Sequence, residues 1–369
     1  MGAPCGNKRL TLAFTCHREM TSARSRSFNV YGYCFSVRSP AEEPLWGIEE
    51  DFRFFSTEGP TNGVVVELFP EAPPMDAVPA NDAVAYTPRN VVYREGGKRF
   101  IDYHGRALGI QDEATGDFKL YSQDTGLLYE AAYLYLLSQI GQRLDAAGLH
   151  RIHALGVVVK RRAVLVMLPM GGGKSTLGLH VLQHRQVQIL SDDAPFVDRR
   201  GRLLAWPLRL GLLPGSENTV PAEHRRTIQR MEFGPKHLVN YSYFSGRVCP
   251  SAEPGLLFVG ARTMTPYCRI ERISRMAAVR SCMANCVIGM GLFQGLEFML
   301  QSSAWELLKK ATLGLSRIWN CWQLLRRSRV LRIHLGRDAD LNARTLVDFA
   351  EKCLADGEDI TPDESFRIG

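Results

Sequence analysis

Apolar positions follow four patterns along this chain. Between residues 30 and 120 they come in short runs, 32–37, 52–55, 64–69 and a hairpin over 91–102 turning at Gly96-Gly97, with Pro70, Pro73, Pro74 and Pro79 in a loop between them. Short runs bounded by glycine and proline predict strands. From Asp124 or Thr125 to about residue 147 the spacing becomes helical: Leu127, Leu128, Ala131, Leu134, Tyr135, Leu137 and Ile140 share a broad apolar face, and Gly148 supplies a stop. Continuous apolar runs follow at 156–159, 163–168 and 187–190, interrupted by the turn Lys160-Arg161-Arg162 and by a helical stretch from Thr176 to His184. The last third predicts helices over 275–300, 305–325 and 341–354 around a strand at 330–335.

Strands alternating with helices predict an α/β domain with a mainly parallel sheet flanked by helices. The organisation expected from these patterns is a polar, Arg- and Ser-rich disordered leader over 1–28, a smaller β-rich accessory domain over 29–120, the α/β domain over 121–355, and a mobile acidic tail over 356–369. No internal repeat is evident.

Composition narrows the class. With 369 residues, 45% hydrophobic and 22% charged, the chain can bury a sizeable core. The apolar stretch 287–300 contains Gln294 and Glu297, so no membrane span is expected. Lys8-Arg9 precede only Leu10 to Phe14, too short for a signal peptide, and Gly6 stands where myristoylation favours Ser or Thr. A cytoplasmic location is expected. The nine cysteines form no C-x-x-C pair, and Cys282 and Cys286, four apart, read as buried thiols on one helix face. The net charge of +7 is spread over small clusters without a recognisable nucleic-acid module, so no nucleic-acid partner is expected.

The candidate chemistry lies at Pro169-Met-Gly-Gly-Gly-Lys-Ser-Thr176, which follows an apolar strand and opens a helix. A glycine-rich turn there lets backbone N–H groups and a helix N-terminus meet phosphate oxygens. Met170, Gly171, Gly172, Gly173, Lys174, Ser175 and Thr176 are therefore the nucleotide-binding candidates. Leu168 occupies the first glycine position of the usual pattern. Lys174 would balance charge on the β- and γ-phosphates, and Ser175 would offer its hydroxyl to magnesium. Asp192 and Asp193 follow an apolar strand 17 and 18 residues after Ser175, so one carboxylate can hold metal while the other accepts a proton. Arg209 and Lys236 are downstream cations that could reach the γ-phosphate, with surface or salt-bridge roles as the favoured reading. The run 289–295 lacks G-x-G-x-x-G spacing and reads as helix packing.

Residues 149–159, the glycine–lysine loop and Ile189-Leu-Ser-Asp-Asp193, in that order and spacing, resemble the kinase domain of the HPr kinase/phosphorylase family over residues 149–207. That resemblance implies a P-loop kinase fold, ATP and Mg²⁺ as cofactors, and transfer to a serine hydroxyl; relatives in peptide-biosynthesis clusters act on small precursor peptides. By position His153 matches the family's active-site histidine, Lys174 and Ser175 its nucleotide and metal residues, and Asp192 and Asp193 its metal and base carboxylates. The chain departs from the family at Leu168, at Met170 where Ser is common, in lacking a recognisable dephosphorylation motif, and throughout its N-terminal region. The expected partner is a peptide or small-protein substrate, with further copies of the chain as the other candidate. A nucleotide-binding regulatory or scaffold protein without transfer activity is the alternative reading.

Overall fold

The computed structural model describes residues 24–169, 171–212, 219–231, 234–287 and 304–355. Its N-terminal half is a nine-stranded sheet in the order Ser56–Thr57, Arg24–Val30, Tyr33–Ser39, Val64–Phe69, Phe118–Tyr121, Leu108–Asp112, Lys98–Asp102, Val91–Glu95, Ala85–Tyr86. Val64–Phe69 runs parallel to both its neighbours, and the other pairs are antiparallel. The hairpin forms at the expected place, with Gly96 at φ 57° and Gly97 at φ 74°, the left-handed pair that a two-residue turn needs. Strand Arg24–Val30 begins inside the stretch read as leader; the rest of that stretch and the tail lie outside the described residues.

The strand expected over 52–55 does not form. Phe52 ends a helix, Glu42–Phe52, and Arg53–Phe55 continues it as a 3₁₀ turn. Leu45, Ile48 and Phe52 recur at helical spacing and are all buried, so packing on the sheet selects helix over a short aromatic strand.

Helix Thr125–Ala146 forms as the pattern predicts. The Asp124 carboxylate accepts from Leu127 N at 3.0 Å, capping its start, and Gly148 at φ 80° follows its end. Its packing reaches both sheets. Tyr135 stacks on Phe118 of the first sheet at 4.0 Å, while the same apolar cluster takes in Phe196, Trp206 and Leu208 from the second half. The helix therefore lies between the two halves and gives each a wall.

The second sheet carries the candidate chemistry. Its order is His150–Arg151, Phe196–Val197, Leu203–Leu204, Ser251–Arg262, Arg162–Met167, Leu155–Val159, Gln188–Ser191, with Arg329–Leu335 also on Ser251–Arg262 and Arg269–Arg272 beyond it. Only Arg162–Met167 with Ser251–Arg262, and Ser251–Arg262 with Arg329–Leu335, pair as parallel strands; the remaining strand pairs are antiparallel. The mainly parallel sheet expected from the sequence is thus a mixed sheet with a parallel centre. The cause is local: Lys160 and Arg161, at φ 48° and 64°, make a two-residue turn that leaves no room for a crossover, so 155–159 and 162–167 close as a hairpin. Two non-glycine residues in left-handed conformation each carry strain. Replacing Lys160 by Asn together with Arg161 by Gly should therefore raise stability by about 1 kcal/mol, read as a higher Tm in calorimetry.

Helices cover both faces. Lys174–Val181 and Ala339–Ala355 pack on one, through Leu177, Val181, Leu346 and Phe349 against Val164, Val166 and Phe258. Arg275–Cys282 and Ala304–Arg327 pack on the other, through Ala278, Cys282 and Leu324 against Leu165 and Leu257. The helix expected over 275–300 changes to a π turn at Met283–Val287, and residues 288–300 lie outside the described residues. A three-stranded sheet of Leu210–Leu212, Gly234–Val239 and Arg225–Arg230 brings Lys236 back toward the strand ends. Among the described residues no helix is long and apolar enough to cross a membrane.

Candidate functional site

The glycine–lysine loop leaves the carboxyl end of central strand Arg162–Met167 and enters helix Lys174–Val181 directly. Gly171 at φ 73° and Gly173 at φ 95° supply the left-handed steps that fold the chain back, and Gly173 is the residue before the helix. The Gly172 amide donates to the Pro169 carbonyl at 2.9 Å, which closes the turn. A Cβ on Gly173 would lie 3.1 Å from Arg262 Nη1, so the last residue of the neighbouring parallel strand brings a guanidinium to the loop. Nothing in the linear pattern around Arg262 marked it, because that approach depends on strand pairing.

Lys174 is buried, with 7% of its surface exposed, and its ammonium donates to the Leu168 carbonyl and to His153 Nε2, both at 2.9 Å. Accepting from an ammonium leaves His153 Nε2 without a proton and assigns the proton to Nδ1. That nitrogen lies 3.1 Å from Asp193 Oδ1, an ion-pair distance off the line of a good hydrogen bond. Lys174 Nζ is itself 3.9 Å from the same oxygen. His153 is fixed from behind, where its amide donates to Asn285 O at 3.0 Å and the Ala154 amide donates to Asp193 O at 2.9 Å. Three residues spread over the sequence thus meet in one chain of polar contacts.

The carboxylate pair is splayed by its own strand end. Ser191 Oγ accepts from the Asp193 and Ala194 amides at 3.3 and 3.0 Å, turning the chain after the strand so that the two side chains face different groups. Asp192 is buried and points at Ser175, whose hydroxyl donates to Oδ2 at 3.5 Å, whereas the Asp193 side chain is 48% exposed. Burial, followed by the charge of Asp193, pushes the Asp192 carboxyl up to about 7, against the pull of Lys236 and Lys174. Burial also opposes ionisation of Asp193, but the close approach of His153 Nδ1, then the charges of Lys174 and Lys236, outweigh it and hold its pKa below the usual value. Burial lowers the Lys174 pKa, and the two carboxylates partly restore it. The pair is therefore divided into one carboxyl poised near neutrality and one held ionised.

Beside the pair opens a cavity of about 310 Å³. Ser175, Ser191, Asp192 and Asp193 form one end, Leu134 and Leu137 of helix Thr125–Ala146 form a wall, and Trp206, Leu208 and Met231 form another. Arg89, Arg151, Arg209, Arg230 and Lys236 also line it. Arg209 does not act as a mobile cation toward the loop. Its guanidinium sits 2.8 Å from Asp51 and 3.0 Å from Glu130 and stacks on Tyr133, with its centre 3.1 Å from the ring centroid. Lys236 acts electrostatically on both carboxylates. Arg151 and Glu130 were missed: a short strand and a helix face carry them, with no motif to mark either.

Gly171, Gly172, Gly173, Lys174, Ser175, Asp192, Asp193 and His153 are brought to one sheet edge; Thr176 follows Ser175 in the helix's first turn, and Met170 lies outside the described residues. Among the described residues no group of three or more His, Cys, Asp or Glu is arranged to hold a metal ion, so any cation here would rely on fewer protein oxygens. Seven cysteines of the described residues are free thiols, and Cys282 and Cys286 are both buried, as expected.

The fold and site define a mixed α/β protein with a glycine–lysine loop at the carboxyl edge of its central strands. No family model matches the chain, and no curated protein matches it. Among solved structures it is similar to the HPr(Ser) kinase/phosphatase from Coxiella burnetii, at 20% identity and a TM-score of 0.20, over 33% of this chain and 77% of that one. A score so low transfers neither fold nor residue roles.

Proposed function

We propose that this chain is an ATP-dependent kinase that transfers the γ-phosphoryl group to a serine-type hydroxyl of a peptide or small protein. The observation that carries the reading is the junction of Lys174, His153 and Asp193 with Ser175 and Asp192 at a helix N-terminus. Phosphoryl transfer needs a cradle for phosphates, a cation to offset their charge and a group to receive the acceptor's proton. The loop amides, Lys174 and Arg262 suit the first need. Ser175 and Asp192 suit Mg²⁺, which takes one or two protein oxygens beside phosphate and water oxygens; when bound it would neutralise charge on the β- and γ-phosphates. Asp193, held ionised and facing the cavity, accepts the hydroxyl proton. The acceptor oxygen then bonds to the γ-phosphorus, the bond to the β–γ bridging oxygen breaks, and its electron pair leaves with ADP.

The raised Asp192 pKa gives a signed prediction. A proton and a divalent cation compete for the same carboxylate, so Mg²⁺ binding releases a proton below about pH 7 and tightens as pH rises through that value. Calorimetric titration with Mg²⁺ should show affinity about tenfold weaker at pH 6 than at pH 8, one proton in competition. Asn at position 192 should abolish that dependence. The function itself is tested by incubating the protein with ATP, Mg²⁺ and a serine-containing peptide panel, followed by intact-mass analysis and ADP quantitation. Gain of one phosphoryl group with stoichiometric ADP is the expected result; nucleotide binding with neither ADP nor phosphopeptide would reject the kinase reading.

A further inference from the structure

Resting on that reading, we propose that the 310 Å³ cavity beside Asp193 is the acceptor subsite, and that it selects a hydroxyl-bearing group carrying its own anion, carboxylate or phosphate, bound by Arg151 and Arg209. The volume lies at the small end of ligand sites and suits one residue-sized group.

The cations are arranged for such a guest. Five of them line the cavity against three carboxylates, Glu130, Asp192 and Asp193, and of these Glu130 is already paired with Arg209. Among the described residues the Arg151 guanidinium makes neither a hydrogen bond nor an ion pair, although burial holds its pKa below the ordinary arginine value. The partly exposed guanidinium has no acceptor among the described residues, and a bidentate anion would supply one. Arg209 adds a second spare donor: Asp51 takes Nε and Glu130 takes Nη1, while Nη2 is buried without a hydrogen-bond partner.

The helix facing Arg151 is shaped for it. A Cβ on Gly141 would come 2.5 Å from Arg151 Nη2, so the absence of a side chain in the interior of helix Thr125–Ala146 leaves the room that the guanidinium occupies. Glycine inside a helix is unfavourable by about 0.5–1 kcal/mol relative to alanine, and here the space it leaves is used. Leu134, Leu137, Trp206 and Leu208 supply apolar contact for the carbon part of the guest. An anion seated on Arg151 places its neighbouring hydroxyl on the Asp193 side, where the bond to phosphorus forms as described above.

The test compares matched acceptors with ATP and Mg²⁺: N-acetyl-L-serine against N-acetyl-L-serinamide, and glycerol 3-phosphate against glycerol. Phosphoester formation and acceptor-free ATP hydrolysis are both followed by ³¹P NMR. In at least one pair the anionic member should have kcat/KM about tenfold or more above its neutral partner, and the pair showing it tells carboxylate from phosphate. Arg151→Gln should bring that ratio close to one. Gly141→Ala, which displaces the guanidinium and favours helix, should lower the ratio in a fully folded protein. Equal use of both members in both pairs, or a ratio unchanged by Arg151→Gln and Gly141→Ala, overturns the proposal. ATP hydrolysis that depends on Asp193 without transfer to any of the four probes also overturns it and leaves the kinase chemistry standing; no hydrolysis and no transfer removes the kinase reading instead.

Discussion

Replacing Asp193 by Asn is expected to reduce phosphoryl transfer by about 10³-fold while ATP affinity changes little, since a positioned general base contributes about 10²–10⁴-fold. The change keeps the side chain's shape and an oxygen for His153 Nδ1–H, now 3.1 Å from the carboxylate. It removes the capacity to take a proton, together with the negative charge that Asp192 and Lys174 feel. Because His153, Lys174 and Lys236 hold Asp193 ionised against burial, the wild-type group is already in its proton-accepting form at neutral pH. Single-turnover phosphopeptide formation, with nucleotide binding by calorimetry as control, separates chemistry from binding. Transfer within tenfold of wild type would assign the base elsewhere.

Arg209→Ala should lower the free energy of unfolding by about 3–5 kcal/mol, the cost of breaking a buried ion pair and stranding its partners. Asp51 is fully buried on helix Glu42–Phe52, and Glu130 is buried on helix Thr125–Ala146. Arg209 contacts both carboxylates, and Arg226 is the second cation on Asp51. The Tyr133 ring under the guanidinium adds a cation–π contact that alanine cannot make. Denaturant unfolding followed by tryptophan fluorescence reads the loss. Arg209→Lys, which keeps the charge and loses the planar fork, should fall between the two. An alanine variant as stable as wild type would mean that the network contributes nothing to joining the halves.

Local chemistry made much of the site legible. A strand, a glycine turn and Lys-Ser-Thr are contiguous, and their geometry follows from dihedral freedom and helix start within eight residues, as Gly171 and Gly173 confirm by their positive φ. Asp192 and Asp193 were legible because a β-branched apolar strand must end at a sheet edge. Sheet direction was not legible in the same way. The turn was read over Lys160-Arg161-Arg162, but Arg162 pairs with Val159, and the two-residue length left, which forces antiparallel pairing, shows only in the structure. The stretch 52–55 failed for a related reason: three aromatics in four residues favour strand locally, while the face set by Leu45 and Ile48 carries Phe52 into a helix.

By itself the sequence determined the loop, the start of the long helix at Asp124 or Thr125, the tight hairpin at Gly96-Gly97 and the candidate side chains of the site, because each depends on neighbours a few residues away. Only the tertiary structure decided which of them meet. His153, Lys174 and Asp193 come together through antiparallel pairing of Leu155–Val159 with both Arg162–Met167 and Gln188–Ser191. Arg209 became a structural anchor because Asp51 and Glu130, distant in sequence, are buried against it, and an unpaired buried charge would be too costly to tolerate. Arg151 came to line the cavity because Gly141, on a separate helix, leaves its guanidinium room. Such partnerships depend on burial and long-range packing, quantities that spacing along a chain does not encode.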